Sequence, residues 1–176
     1  MISRALLIAA AMLFAAAPSH VAAQNRWNPA APENRQVLGS FSYRTVEPVL
    51  AQIGARWQRR PGGQPALAVV FPNGRQAGLV MGSCTSNGSI CRSLSIQSIW
   101  PRPADPARLD EGVQRFNQRY AFSRAFVLAD GRPAVQRYLT ADYGIIRGNL
   151  AVNLLVFADQ ADRFAAEVLQ APTRAR

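Results

Sequence analysis

The chain has 176 residues, with 20 basic and 10 acidic side chains and a formal net charge of +10. Every basic residue is arginine, no lysine occurs, and the single histidine is His20. Downstream of residue 20 this excludes Ser-His-Asp and Cys-His triads, Schiff-base and P-loop lysines, and histidine-ligated zinc.

Residues 1–23 read as a secretory signal peptide. Arg4 supplies the positive start, Ala5 to Ala17 is an unbroken apolar run, and Pro18-Ser19-His20 breaks it. Val21-Ala22-Ala23 places small residues before a cleavage point between Ala23 and Gln24. The run falls short of the roughly 20 residues that span a bilayer, so no stable membrane insertion is expected after cleavage. Cleavage leaves about 150 residues, one domain of ordinary size in the periplasm.

Residues 24–40, with Asn25, Pro29, Pro32 and Asn34, show no periodicity and read as a flexible N-terminal arm. The domain proper is expected over 41–170, with a disordered tail at 171–176. A first helix is expected from Thr45 as N-cap, with Pro48 in the first turn and Gly54 as its stop. Strands are expected at Ala55–Arg60 and Leu67–Phe71, the second apolar on both sides, which suggests a sheet covered on both faces there.

Pro72-Asn73-Gly74 turns into a strand at Ala77–Ser83, and Ile90–Trp100 is its hairpin partner. Asn87-Gly88 favours a two-residue turn, and centring it there sets Cys84 against Cys91. Opposed residues have Cα atoms about 4.5–5.5 Å apart, within the reach of a disulfide. The same register puts Leu79 against Ile96 and Met81 against Leu94 on one face, with Val80 against Ser95 and Gly82 against Ser93 on the other. A structural bridge fits an exported chain; a redox dithiol would want Cys-x-x-Cys spacing.

A second helix is expected to be capped by Asp105, with Pro106 at its first position and Leu109, Val113, Phe116 and Tyr120 as its core stripe. Asp130-Gly131 marks a hairpin between Arg124–Leu128 and Ala134–Leu139, and the last helix runs from Arg147 to Leu169. The expected order is α-ββββ-α-ββ-α, a mainly antiparallel α+β domain.

Several stretches resemble the YbjN family, described as bacterial sensory transduction regulators. They are Gln52-Ile53-Gly54, the hairpin from Met81-Gly82-Ser83-Cys84 to Cys91-Arg92-Ser93-Leu94-Ser95-Ile96-Gln97, the run Arg115 to Phe126, and Asp130-Gly131-Arg132-Pro133 before the closing helix. The resemblance runs from about Val37 to Leu169. It implies a fold similar to type III secretion chaperones, with helices packed on an antiparallel sheet and frequent dimers. It implies no activity, cofactor or catalytic residue.

Arg56, Arg59 and Arg60 around Trp57 combine charge with an aromatic ring and suit an anionic partner. The plainer reading is a solvated hairpin with Trp57 in the core. Asn117, at the edge of an apolar helix face, reads as a satisfied buried amide and not a ligand. Asp105, Asp110 and Glu111 gather at a helix start, which acids favour, and Asp159 and Asp162 read as surface groups. No metal site or cofactor is expected, and nucleic acid is an unsuitable partner for an exported chain.

The functional expectation is therefore a periplasmic, non-enzymatic binding or adaptor domain, regulatory, able to form a homodimer, and acting on an unidentified protein partner. The alternative is an electrostatic binder of anionic envelope material, lipid head groups or polysaccharide. A carboxylate-dependent hydrolase is the remote third class.

Overall fold

The computed structural model describes residues 27–103, 106 and 108–170. The signal peptide with Ala23 and Gln24, the proposed helix cap Asp105, and the tail 171–176 lie outside the described residues. A 3-10 turn at Pro32–Arg35 leads into β1 (Val37–Leu38) and α1 (Tyr43–Gln52). Strands β2 (Arg56–Arg59), β3 (Ala66–Val70), β4 (Gln76–Cys84) and β5 (Cys91–Ile99) follow. After α2 (Leu109–Arg119) come β6 (Arg124–Val127), β7 (Pro133–Thr140), β8 (Ile145–Ile146) and α3 (Arg147–Phe164), which ends in a π-turn at Ala165–Leu169.

Six strands form one antiparallel sheet in the order β2-β3-β4-β5-β7-β6, and β1 pairs with β8 in a separate ribbon. The expected α+β order is present, with the β1–β8 ribbon added. Residues 27–40, read from sequence as a loose arm, contain the 3-10 turn and β1. Asn34 is buried there, with its Nδ2 donating to Asn28 C=O at 2.8 Å and its Oδ1 accepting from Gln52 Nε2 at 2.9 Å. Trp27 packs against the core.

The register expected for the central hairpin is present pair for pair, from Gly78 opposite Gln97 to Cys84 opposite Cys91. The turn differs. Thr85 N–H donates to Ile90 C=O at 2.9 Å, closing a loop over Ser86–Ser89 in place of a two-residue turn. Gly88, at φ 66°, takes the left-handed position, and a loop lengthened equally on both sides keeps the pairing unchanged. The turns at Asn73-Gly74 and Asp130-Gly131 each close in a three-residue loop, between Phe71 and Arg75 and between Leu128 and Arg132.

Helix α1 starts earlier than expected. Ser42 is the N-cap, and Thr45 sits at the third helical position of a capping box: Ser42 N–H donates to Thr45 Oγ1 at 2.9 Å, and Thr45 N–H donates to Ser42 Oγ at 3.3 Å. Pro48 consequently lies inside the helix, on its exposed side. Gly54 does end α1: Ala55 N–H reaches Leu50 C=O and Gly54 N–H reaches Ala51 C=O, the paired bonds of a left-handed C-terminal cap. Helix α2 begins at Leu109, so Pro106 precedes it and accepts a turn bond from Leu109 N–H at 3.0 Å.

One face of the sheet carries the core. Leu67, Val69, Leu79, Met81, Leu94, Ile96, Ala125 and Val135 meet Val46, Val49 and Leu50 of α1 and Leu150, Leu154, Phe157 and Ala161 of α3. Among the described residues, no helix lies over β2–β5 on the other face. The doubly apolar strand β3 had suggested cover on both sides; only Leu67 and Val69 are covered, while Ala66, Ala68 and Val70 remain half-exposed on the open side. Alternation tells which residues share a face, and it does not tell what lies over that face.

Candidate functional site

Strand alternation divides the basic group expected to act together. Trp57 stands directly opposite Val69 and packs on the core side. Arg59 shares that side, where its Nε and Nη2 donate to the two carboxylate oxygens of Glu47 at 2.6 and 2.8 Å. Its guanidinium lies 4.4 Å from the centre of the Tyr43 ring. The fork of two bonds from Arg59 holds the Glu47 carboxyl below the usual carboxylate range, against the opposing effect of burial. Trp57 and Arg59 therefore fasten the edge strand to α1.

The sign of that linkage gives a test. A carboxylate with a depressed folded-state pKa stabilises the fold above its unfolded pKa, and the contribution disappears as pH falls through the folded value. Glu47→Gln should be less stable than the parent at pH 7, and the two should converge below about pH 4 in urea titrations. A gap that persists at pH 2.5 would assign the effect to packing.

Arg56, Gln58 and Arg60 face the open side. Across the sheet, Gln58, Ala68, Gly78, Gln97, Gln136 and Arg124 form one row. Ala66, Val80, Ser95 and Tyr138 form the next. Gln58, Ala68, Gly78, Val80, Ser95 and Gln97 of these rows line a groove of about 580 Å³ over β2–β5 with Arg56, Arg60, Gln76 and Ile99 on its rim. The floor is built of Ala, Gly and Val, and the sides of guanidinium and amide groups. Arg60 leans over the floor, its Nη1 lying 4.0 Å from where a Gly78 side chain would begin. Ile99 and Tyr138 on this face are 43% and 59% exposed.

The charge on this face has one sign. Six acids are taken up elsewhere by arginines: Glu47 by Arg59, Asp162 by Arg75, Glu111 by Arg115, Glu167 by Arg119, Asp130 by Arg132 and Asp159 by Arg163. Arg56, Arg60 and Arg124 make no ion pair among the described residues, and no acid lies in the rows they occupy. Asp110 and Glu111 sit in the first turn of α2, and Asp159 and Asp162 lie on α3, so none of these acids reaches the groove.

Cys84 and Cys91 are bonded, with S–S 2.12 Å and Cα atoms 3.9 Å apart. The Cα atoms are closer than strand geometry alone suggests, at the point where Ser83 leaves the extended region with φ 51°. Cys91 is fully buried, and its N–H and C=O both pair with Phe41, directly before the α1 capping box. The bridge thus ties a hairpin tip to the entry of α1. Asn117 is satisfied as expected, though at the surface: its amide donates to Ala125 C=O at 2.9 Å and accepts from Ala125 N–H at 2.8 Å. That pair of bonds occupies the outer edge of β6.

Gln58, Gln97, Tyr138 and Arg124 were not singled out from sequence. The signal for them was the two-residue alternation of each strand combined with the register of the central hairpin, which places all four on the side away from Leu79 and Leu94. No helix among the described residues is long and apolar enough to cross a membrane.

The family model "YbjN: Putative bacterial sensory transduction regulator" matches residues 42–170. No curated protein matches the chain. The match runs from the capping serine of α1 to the end of the π-turn, and takes in the whole six-stranded sheet with its three helices. The chain belongs to the YbjN family.

Proposed function

We propose that this chain is an exported, non-enzymatic binding domain, a regulator or adaptor that works through protein contacts at the open face of its sheet. One observation carries the reading: a groove with an apolar floor and arginines on its rim that make no ion pair among the described residues lies over four strands that no helix of the described residues covers. Family membership, with its regulatory description, supports a binding role over a catalytic one. The apolar run before Ala23 supports export.

The test compares two charge-reversed variants of equal net charge. Arg56→Glu/Arg60→Glu alters the groove, and Arg35→Glu/Arg44→Glu alters exposed positions on the helical side. Proteins captured from the envelope fraction by the tagged chain are quantified for each. A partner lost with the groove variant and kept with the helical-side variant is the expected result; identical sets from both would overturn the reading. Export is tested by mass spectrometry of the chain from the periplasmic fraction, with Gln24 expected at its N-terminus. An intact leader on a cytoplasmic chain would contradict it.

The unpaired arginines also favour a second reading, the binding of anionic envelope material such as lipid head groups or polysaccharide. Charge attraction at an exposed rim weakens with salt. Binding of such material that is unchanged between low and high salt removes this reading.

A further inference from the structure

The groove has a spacing as well as a charge. Arg56, Gln58 and Arg60 occupy every second position of β2 and its continuation, where Arg60 N–H still donates to Ala66 C=O at 2.9 Å. Alternate side chains on a strand are about 6.7 Å apart, which puts Arg56 and Arg60 about 13 Å apart along the groove. On the far side, Ser95 and Gln97 of β5 lie opposite Tyr138 and Gln136 of β7. Gln136 Nε2 donates to Ser95 Oγ at 2.7 Å, which orders that wall.

Between the walls the floor is lowest at its middle, because Ala68 of β3 and Gly78 of β4 offer almost no side chain, with Val70 and Val80 to either side. Strands about 4.8 Å apart make the distance from β2 to β5 about 14 Å, and the wall side chains narrow it further. The remaining width suits one extended chain lying along the strands and not a helix of about 10–12 Å diameter. An extended chain presents alternate side chains at the same repeat as β2 itself.

The geometry points to an extended acidic segment of a partner protein, with carboxylates at alternate positions, seated along β3 and β4 against Arg56 and Arg60. This rests on the docking reading above and adds the partner's chemistry and conformation. Carboxylates four residues apart on one face of the segment meet the two guanidinium groups, and the residue midway between them faces Gln58. Among the described residues no acid of the chain lies in these rows to compete for the guanidinium groups.

Two labelled serine/threonine peptides of identical composition test it by fluorescence anisotropy. One carries glutamate at every second position, so that all glutamates share a face when extended; the other carries it at every third, so that successive glutamates point to opposite faces. The proteins are the mature chain, Arg56→Gln/Arg60→Gln and Gly78→Val. A Cβ at Gly78 meets only Arg60 within 4 Å, and it stands on the open face, so Gly78→Val raises the floor on the side away from the core.

The every-second peptide should bind the parent about tenfold more tightly than the every-third peptide, a difference both variants abolish while keeping the parent's thermal midpoint. Equal binding of the two peptides, or a preference that Gly78→Val leaves intact, overturns the spacing and leaves the docking face standing. Tighter binding of alginate or of phosphatidylglycerol vesicles than of either peptide overturns it in favour of the charge-driven reading. Absence of peptide binding, together with absence of protein adducts from the open face in cells, overturns the docking reading with it.

Discussion

Replacing Phe164 with alanine should lower the unfolding free energy by about 3–5 kcal/mol, read from urea denaturation. Phe164 is the last α-helical residue of α3 and has no exposed surface. Its ring lies 5.2 Å from Trp100 and meets Phe116 of α2 edge-on at 5.1 Å. Alanine would leave a cavity where three elements converge, and aromatic pairing would be lost with the buried area. The π-turn beginning at Ala165 then carries Val168 against α2, where a side chain on Gly112 would come within 2.6 Å of Val168 Cγ1. Beyond this cluster α2 is held by the two Asn117 bonds to Ala125 and the Arg119–Glu167 pair, at its C-terminal half, so the same variant should speed amide exchange across α2 more than across the β4–β5 hairpin. A loss below about 1 kcal/mol would mean that this cluster is not the anchor described here.

The second large effect is expected at the bridge. Cys84→Ser/Cys91→Ser removes a closed loop of eight residues, for which the chain-entropy account gives about 2.5 kcal/mol. The buried position of Cys91 and its two backbone bonds to Phe41 predict where the consequences spread: into the start of α1, not into β6 and β7. Thermal unfolding of the oxidised parent, the reduced parent and the double variant measures it. Reduced parent and double variant should unfold alike and well below the oxidised chain. Three coincident transitions, or two free thiols in the unreduced denatured chain, would remove the structural role.

Much of this architecture is legible in the residues because local signals agree. Asn-Gly and Asp-Gly turns, alternating apolar faces and the cysteine positions all select one register for the central hairpin, and that register is present even though the turn is longer than expected. The start of α1 was harder. Ser40, Ser42 and Thr45 all offer a hydroxyl, and the apolar periodicity beginning at Val46 favoured the last, whereas the capping box uses Ser42 and Thr45 together. The ribbon of β1 and β8 has two residues in each strand, and its partners are separated by more than a hundred positions in the chain, so neither period nor turn chemistry marks it.

The site was half legible. The Arg56–Arg60 group drew attention by charge, but reading it as one cluster ignored the alternation that sends Trp57 and Arg59 to α1 and leaves Arg56 and Arg60 over the groove. The apolar residues on the second side of β3 suggest burial from sequence, and they are half-exposed. A floor of Ala66, Ala68 and Val70 has the same pattern whether a helix of the same chain or a segment of another protein lies on it. Six of the twenty arginines pair with acids, and those proposed to bear on function are Arg56 and Arg60, on one face of one sheet.

The measurement that bears most directly on that face is a site-specific photo-crosslink in living cells. Amine-reactive reagents find no lysine in this chain, so the probe must be placed by design. A photoreactive residue at Gln97, on the far wall of the groove, is compared with one at Val152, exposed on the outer side of α3. Protein adducts from Gln97 that fall away in the Arg56→Glu/Arg60→Glu background, with few from Val152, are what a docking face predicts. Adducts that arise only from Val152, or from Gln97 only with lipid, polysaccharide or a second copy of this chain, would contradict it.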